Sequence, residues 1–269
     1  SSDLLVPLPS LLEPCARTPR HSLKSSSMVQ ATTTRFVNLT TALGVSHTLA
    51  SSTAEAIAEA YSEPQRSYHT LSHISHMLEG LDQFPQRFSD RVAVELAVWF
   101  HDVVYDPVRG APWNEEESIR VWENFVEAAK PSLVSLSTAR AAIFRELIPS
   151  QDHLRTAVSA LIHSTISHQL PASSPPSLAT LDISAFLNLD IAILASPSAA
   201  YRIYSDAIRF EYIHIPLDGY RSGRAKVLGG FLNREKLFFG EGNDEEEAQA
   251  RANLSDEISG LESGRLPEP

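Results

Sequence analysis

Three of the ten histidines lie close together in the segment YHTLSHISHM. His69 and His73 are four residues apart, so on a helix they would lie on one face about one turn apart. His76 follows three residues later and would share that face or lie at its edge. Imidazole nitrogens bind first-row metals and also transfer protons near neutral pH. The spacing therefore favours a metal site, acid–base chemistry, or both.

Two acids stand in apolar surroundings further along the chain. The pair His101–Asp102 directly follows Val-Trp-Phe in AVWFHDVVYD, and Asp190 lies inside FLNLDIAILA. A carboxylate in such a run needs a cation, a hydrogen-bonding partner or solvent. A metal ion is one such partner, and a salt bridge or a helix cap is another. Asp182 lies one segment before Asp190 and is a competing candidate.

The elements that would position these groups have helical periodicity. Periodicity, caps and proline breaks predict helices at about 53–62, 69–83, 90–104, 114–129, 136–147, 151–168, 182–195, 198–213, 217–235 and 243–262, after a short segment that begins at Phe36. No strand pattern of alternating residues is present. The predicted fold is all-α, a single bundle of about ten helices over residues 35–265.

Residues 1–34 are interpreted as a disordered N-terminal tail. They are rich in Ser, Thr, Pro, Arg and Leu without steady periodicity. Arg17, Arg20 and Lys24, with few acids around them, make an organelle-targeting segment the alternative.

Composition restricts the partners. The net charge of −11 disfavours binding to a nucleic-acid polymer, although a local arginine and a metal still permit a small phosphorylated ligand. The longest apolar runs, such as VAVELAVWF, are far shorter than the roughly 20 residues of a membrane span. The single cysteine, Cys15, excludes an internal disulfide and Cys-based zinc clusters. It fits a reducing, cytoplasmic location and leaves histidines and carboxylates as metal ligands.

Four ordered motifs carry a family resemblance: RSYHTLSH (66–73), WFHDVVYD (99–106), NEEES (114–118) and NLDIAILA (188–195). Together they resemble the HD superfamily of metal-dependent phosphohydrolases, whose pattern is a His, then a His-Asp doublet, then a distant Asp. The similarity is closer still to a subgroup of predicted HD phosphohydrolases of bacteria and fungi, and it covers about residues 55–255. Asn188 and Ala195 depart from that subgroup's D-x-D-L-x-x-L-G.

The resemblance implies that His73, His101, Asp102 and Asp190 bind one divalent ion, for which Mn, Co, Ni, Fe, Mg and Zn are candidates. Four protein ligands would leave positions open for water and a phosphate oxygen. The YHxxxH element also resembles a motif of cyclic-nucleotide phosphodiesterases in which the first His protonates the leaving group. By that similarity His69 is the acid. An arrangement in which His69 binds a second ion stays open.

Further residues have two interpretations each. Asp106 is predicted to act on the metal-bound water, or else to cap the helix end. Arg66 is predicted to clamp a phosphate, or else to form a salt bridge. Asn114 and Glu115 begin the next helix, and they either serve as ordinary cap and first-turn acid or support the histidines and the substrate.

Two aromatic side chains complete the candidate site. Tyr68 is predicted to stack on a substrate or to pack in the core, and His168 to line the pocket. Outside the site, Arg209, Glu211 and Arg224 are expected to form structural pairs between late helices, and a contact of Arg224 with a phosphate is the alternative.

The predicted function is hydrolysis of a phosphate ester or anhydride of a small, nucleotide-like molecule, by a phosphomonoesterase, pyrophosphatase or phosphodiesterase. A homo-oligomer stays open. One rival is an HD-type di-iron oxygenase, for which His69 and His76 would be further ligands. The other is a non-catalytic nucleotide-sensing module, against which the complete ligand set argues.

Overall fold

The computed structural model describes residues 23–135, 151–171 and 178–267. Within these ranges the chain is helical and has no strand, which confirms the predicted all-α fold. The predicted helix 136–147 lies outside the described residues. The ten helices described are α1 (Leu23–Ala42), α2 (His47–Ala60), α3 (Leu71–Gln83), α4 (Arg91–Phe100), α5 (Trp113–Ser135), α6 (Gln151–Ser164), α7 (Thr180–Asp190), α8 (Ser198–Glu211), α9 (Leu217–Leu232) and α10 (Asp244–Glu262).

Helix α1 begins at Leu23, well before the boundary at residue 34 that the sequence predicts for the tail. Its polar stretch is rich in threonine, and two of these side chains satisfy backbone carbonyls one turn earlier. The Thr33 hydroxyl donates to the Val29 carbonyl at 2.8 Å, and the Thr34 hydroxyl to that of Gln30 at 2.7 Å. These hydrogen bonds let polar threonine side chains occupy a helix. Because threonine replaces apolar residues there, the sequence of this helix has little apolar periodicity.

Helix α4 lies at the centre of the larger of two hydrophobic cores. Every residue from Ala93 to Phe100 is buried. The ring of Phe36 in α1 packs on those of Trp99 and Phe100, with centroids 5.4 and 5.9 Å apart. Because α4 is covered all round, its C-terminal end is fixed by packing on several sides.

Arg35 of α1 ties together the two helices that lead to the site. Its guanidinium pairs with Asp82 of α3 and with Glu95 of α4, both at 2.7 Å. Glu95 is almost fully buried, so it needs this partner.

The smaller core is formed by α8, α9, α10 and the 3-10 turn Ala192–Ala195. The chain passes from the larger core to the smaller one at Asp190, since Leu189 packs on the first and Ile191 belongs to the second. Asp190 therefore lies at the boundary between the two cores. Among the described helices, none is both long enough and apolar enough to cross a membrane.

Candidate metal centre

The imidazole of His101 is oriented by the helix that precedes it. His101 follows the last residue of α4, and its Nδ1 lies 3.0 Å from the Val98 carbonyl oxygen. A carbonyl can only accept a hydrogen bond, so Nδ1 carries the proton. In the neutral ring Nε2 then holds a lone pair, which is the state that binds a metal.

Three buried side chains converge on one point. The Nε2 atoms of His73 and His101 lie 3.3 Å apart, and Asp190 Oδ1 lies 3.1 Å from the first and 3.5 Å from the second. These donor atoms are all within 4.8 Å of one another, close enough to hold a metal ion. His73 comes from α3, His101 follows α4, and Asp190 ends α7.

A close contact between two helices brings His73 and Asp190 together. A Cβ at Gly80 of α3 would lie 2.5 Å from the Leu189 side chain of α7. Gly80 lies two turns after His73 on the same helix, and Leu189 precedes Asp190. Glycine at this position therefore lets α3 and α7 approach closely enough for the cluster to form.

The electrostatics of the cluster match a bound cation. Burial opposes ionisation of Asp190, but hydrogen bonds from His101, His168 and His73 hold its pKa well below the usual range. Burial also opposes a charge on His101, yet the carboxylates of Asp102 and Asp190 raise its pKa well above the usual value. Burial lowers the pKa of His73, so the positive charge that the two carboxylates favour lies on His101 or on a cation between the rings. Two imidazoles and a carboxylate suit Mn, Fe, Co, Ni or Zn.

The competing acid, Asp182, has a structural task elsewhere. It is buried, and its Oδ1 accepts hydrogen bonds from the backbone amides of Ser89 and Asp90 at 2.6 and 3.2 Å. It thereby fixes the turn before α4. Asp190, and not Asp182, lies with the histidines.

Asp102 lies beside the three converging residues. Its Oδ2 is 3.2 Å from His101 Nε2 and 3.9 Å from His69 Nε2. Burial raises the pKa of this carboxyl, but the neighbouring His101 and His69 lower it well below the usual range. Asp102 is therefore ionised and within reach of a cation bound at His101, and its role as a fourth ligand stays a prediction.

His69 lies in front of α3, which begins at Leu71 after the capping residue Thr70. The assumption that His69 and His73 share one helical face is thus wrong, although their ring centroids are 6.1 Å apart. His69 Nδ1 is 2.7 Å from Glu211 Oε2. Since a carboxylate can only accept, Nδ1 carries the proton and Nε2 is turned towards Asp102.

Glu211 is the residue that sequence reasoning missed. Its Oε1 accepts hydrogen bonds from the backbone amides of Ser67, Tyr68 and His69 at 2.7, 2.7 and 3.0 Å, and its Oε2 accepts one from the Tyr105 hydroxyl at 2.8 Å. Burial opposes its charge, but His69 and these donors lower its pKa to about 2.

The position of Glu211 carried a signal. It was expected to pair within the late helices, yet its partners lie in the segment before α3. An acid as the last residue of helix α8 is unfavourable with the helix dipole. Such a residue must find donors elsewhere, and here they are supplied by residues 67–69.

Arg66 forms hydrogen bonds with the backbone at and after Asp102. Its side chain is fully buried, and its Nη1 donates to the Asp102 and His69 carbonyls at 2.7 and 3.2 Å, while Nη2 donates to that of Val103 at 3.0 Å. The Nε group pairs with Glu63. With these donors occupied, the geometry favours a positioning role over the predicted phosphate clamp.

Asp106 forms a turn. Its Oδ1 accepts from the amides of Val108 and Arg109 at 2.8 and 3.3 Å, and its side chain is 39% exposed. Asn114 fixes the same turn, since its side chain exchanges two hydrogen bonds with the Asp106 backbone. Asp106 lies six residues after the last residue of α4, so it does not cap that helix end as predicted. The predicted contact with a metal-bound water finds no support in this geometry either.

A cavity of about 230 Å³ opens beside the cluster. The predicted substrate contacts Tyr68, Asn114, Glu115 and His168 all line it. His168 also orients the carboxylate of Asp190, because its Nε2 lies 2.8 Å from Asp190 Oδ2. Among the lining residues that bear titratable groups are His69, Asp102, Tyr105, Glu115, His168, Asp190, Tyr204, Tyr212 and Arg224.

No family model matches the chain, and no curated protein or solved structure is significantly similar to it. The resemblance to HD phosphohydrolases therefore rests on the four motifs alone.

Glu115 stands out among the cavity residues. Its Oε2 is buried, and no described residue forms a hydrogen bond with it. Burial raises the pKa of this carboxyl, and the negative charge of Asp102 raises it further. A buried carboxyl oxygen without a protein partner is costly, and Glu115 is also one of the residues that line the cavity.

His76 does not belong to the cluster. It is exposed on α3 and is not among the residues that line the cavity. The arrangement with two metals would therefore have His69 alone of the two extra histidines, and His69 is already held by Glu211.

Proposed function

We propose that this chain is a metal-dependent phosphohydrolase that cleaves a phosphate ester or anhydride of a small molecule. The observation that carries the proposal is the buried convergence of His73, His101 and Asp190 beside an open cavity. The motif resemblance to HD phosphohydrolases supports the same reaction class. A divalent ion held there would polarise a phosphoryl oxygen and lower the pKa of a bound water.

His69 is the proposed proton donor to the leaving oxygen. Glu211 fixes its Nδ1, which leaves Nε2 facing Asp102 at the cavity wall. Burial alone would lower the pKa of His69, but the charges of Glu211 and Asp102 outweigh it and raise that pKa. A protonated imidazole near neutral pH can give its proton to the departing oxygen.

Glu115, rather than Asp106, is the proposed proton acceptor. Glu115 lines the cavity and its buried Oε2 has no hydrogen-bond partner among the described residues, whereas Asp106 is occupied by its turn. A carboxyl with a raised pKa is a better base towards an attacking water than an ordinary exposed acid. The two proton-transfer groups then belong to different elements, His69 in front of α3 and Glu115 in α5.

The test combines a substrate screen with matched variants. Purified protein is depleted of metal, resupplied with Mn²⁺, Co²⁺, Ni²⁺ or Mg²⁺, and assayed for phosphate release from phosphorylated metabolites. We expect turnover only with metal. Glu115→Gln should lower kcat by about 10²–10⁴-fold with unchanged metal content. Glu116→Gln, the exposed neighbour, is the control and should leave kcat unchanged.

Three results would contradict the proposal. Phosphate release without metal removes the metal mechanism. Equal kcat in the Glu115→Gln and Glu116→Gln variants removes Glu115 as the base. Two irons per chain with oxygen consumption, and no phosphate release, would favour the oxygenase instead.

A further inference from the structure

One arginine lies on the cavity wall beyond the cluster. Arg224 of α9 lines the cavity, and its side chain is only 10% exposed. Its guanidinium lies over the ring of Tyr204, 5.4 Å from the ring centroid. Arginine is always charged in proteins and is rarely buried unless its donors are used.

The hydrogen bonds of Arg224 leave one side of the guanidinium without a protein acceptor. Its Nε donates to Glu257 Oε1 at 2.9 Å and its Nη2 to Glu257 Oε2 at 3.3 Å. No described residue accepts a hydrogen bond from Nη1. Glu257 is itself held by the Tyr201 hydroxyl, so the pair is rigid. Of the five N–H groups of arginine, the two on Nη1 are therefore available to a ligand.

Aromatic rings separate Arg224 from the metal cluster. The Tyr204 ring contacts that of Tyr68, with centroids 4.6 Å apart, and the Tyr68 ring lies 4.9 Å from that of His73. Tyr204, Tyr68 and Arg224 all line the same cavity, together with the apolar side chains of Leu228 and Phe231. Polar groups of the cluster and the cationic Arg224 thus line one cavity, with the rings of Tyr68 and Tyr204 between them.

We propose that Arg224 is an oxyanion subsite for the far end of the substrate. The ligand would carry a phosphate at the cluster and a second acidic group, a carboxylate or a phosphate, on Nη1 of Arg224. This inference rests on the proposed function and specifies its substrate class. The cavity volume of about 230 Å³ lies below the range of roughly 300–1,000 Å³ of usual ligand pockets. A compact phosphorylated acid therefore fits better than a nucleotide.

The test uses two non-hydrolysable probes of the same shape, 4-carboxyphenylphosphonate and its neutral counterpart 4-carbamoylphenylphosphonate. Their dissociation constants are measured by calorimetry with the full chain, with and without Mn²⁺. We expect the carboxylate to bind at least about tenfold more tightly than the amide, because a charged acceptor strengthens the hydrogen bonds from Nη1.

Two variants assign that preference to Arg224. Arg224→Met combined with Glu257→Met removes both charges and leaves no unpaired ion in the core, and the affinity ratio should fall to about one. Arg221→Met is the matched control, since Arg221 lies on the same helix and donates to the Gly264 and Leu266 carbonyls outside the cavity. It should keep the wild-type ratio.

The outcomes separate this inference from the proposed function. Equal affinity of the wild type for both probes, or a preference that survives in the double variant, overturns the subsite. Mn²⁺-dependent binding without a preference overturns the subsite alone and leaves the metal-dependent function standing. A preference that is lost in the double variant but does not depend on Mn²⁺ supports the subsite and counts against the metal mechanism. Binding of neither probe overturns both.

Discussion

Two buried groups of histidine and carboxylate lie side by side in this chain and differ in how their atoms are satisfied. Around Glu211, three backbone amides, the His69 ring and the Tyr105 hydroxyl all donate to one carboxylate. At the cluster, the Nε2 atoms of His73 and His101 and the carboxylate of Asp190 converge on one point. The first arrangement surrounds one carboxylate with backbone and side-chain donors, whereas the second brings together three groups that can each bind a metal ion.

This difference distinguishes a supporting element from a binding site. A carboxylate with all its hydrogen bonds formed stabilises the fold and holds its neighbours in place. A buried carboxylate beside two imidazoles needs positive charge near it, which either ring protons or a bound cation can supply. The first group fixes the orientation of His69, and the second could hold a metal ion. Replacing one residue in each group should therefore change different properties of the protein.

The largest effect is expected at the cluster. His73→Ala removes one of the three side chains that are proposed to bind the metal. We therefore expect metal affinity to fall by at least about 1,000-fold, roughly 4 kcal/mol. Replacing a residue that only supports a ligand typically costs 10–100-fold. His76→Ala, on the same helix but exposed, is the control and should keep wild-type affinity. Calorimetric titration and elemental analysis measure both, and wild-type metal content in His73→Ala would refute the ligand assignment.

Replacing Glu211, the centre of the supporting group, should lower the stability of the fold rather than the metal affinity. Glu211→Gln keeps the size of the side chain but removes an acceptor charge that several donors share. We expect the free energy of unfolding to fall by about 2–4 kcal/mol. Asp206→Asn, an exposed acid on the same helix, should change it by less than about 0.5 kcal/mol. Urea denaturation of the two variants gives the comparison, and equal midpoints would remove Glu211 as the supporting element.

The same carboxylate predicts a dependence on pH. The pKa of Glu211 is about 2, below its ordinary value of 4.5. The folded state therefore binds fewer protons, so the stabilisation is fully present above pH 4.5 and is lost as pH falls towards 2. The difference in unfolding free energy between wild type and Glu211→Gln, roughly 3 kcal/mol, should shrink over that window. A difference that stays constant between pH 5 and pH 3 in urea denaturation would contradict the assigned pKa.

The two groups also differ in how far the sequence could predict them. Spacing and apolar context marked the histidines of residues 69–76, the His101–Asp102 pair and Asp190 as candidates, and the motif resemblance then selected His73, His101 and Asp190. Glu211 did not stand out, since its amide donors lie 142–144 residues earlier in the chain. Hydrogen bonds between such distant segments leave no periodic signal, and only the acid at a helix C-terminus hinted at them.

Helix boundaries show the same limit. The sequence predicted α4 and α10 to within a few residues, because a nearly continuous apolar run marks the first and a run of acids begins the second. It placed His69 on α3, although the Thr70 cap starts that helix after it. The caps depend on which side chain finds which amide, and a pattern of residue types does not specify that choice.

The smallest expected effect concerns Asn188, where the chain departs from the D-x-D of the family it resembles. Its amide forms two hydrogen bonds with one residue, Nδ2 donating to the Phe239 carbonyl and Oδ1 accepting from the Phe239 amide, both at 2.8 Å. Asn188→Asp would keep the acceptor but lose the donor, and would face a carbonyl with a negative charge. We expect a loss of about 1–2 kcal/mol in unfolding free energy, with metal content unchanged because Asp190 is retained. Asn38→Asp, exposed on α1, is the control. If Asn188→Asp instead raised metal affinity, Asn188 would belong with the cluster rather than with its supporting structure.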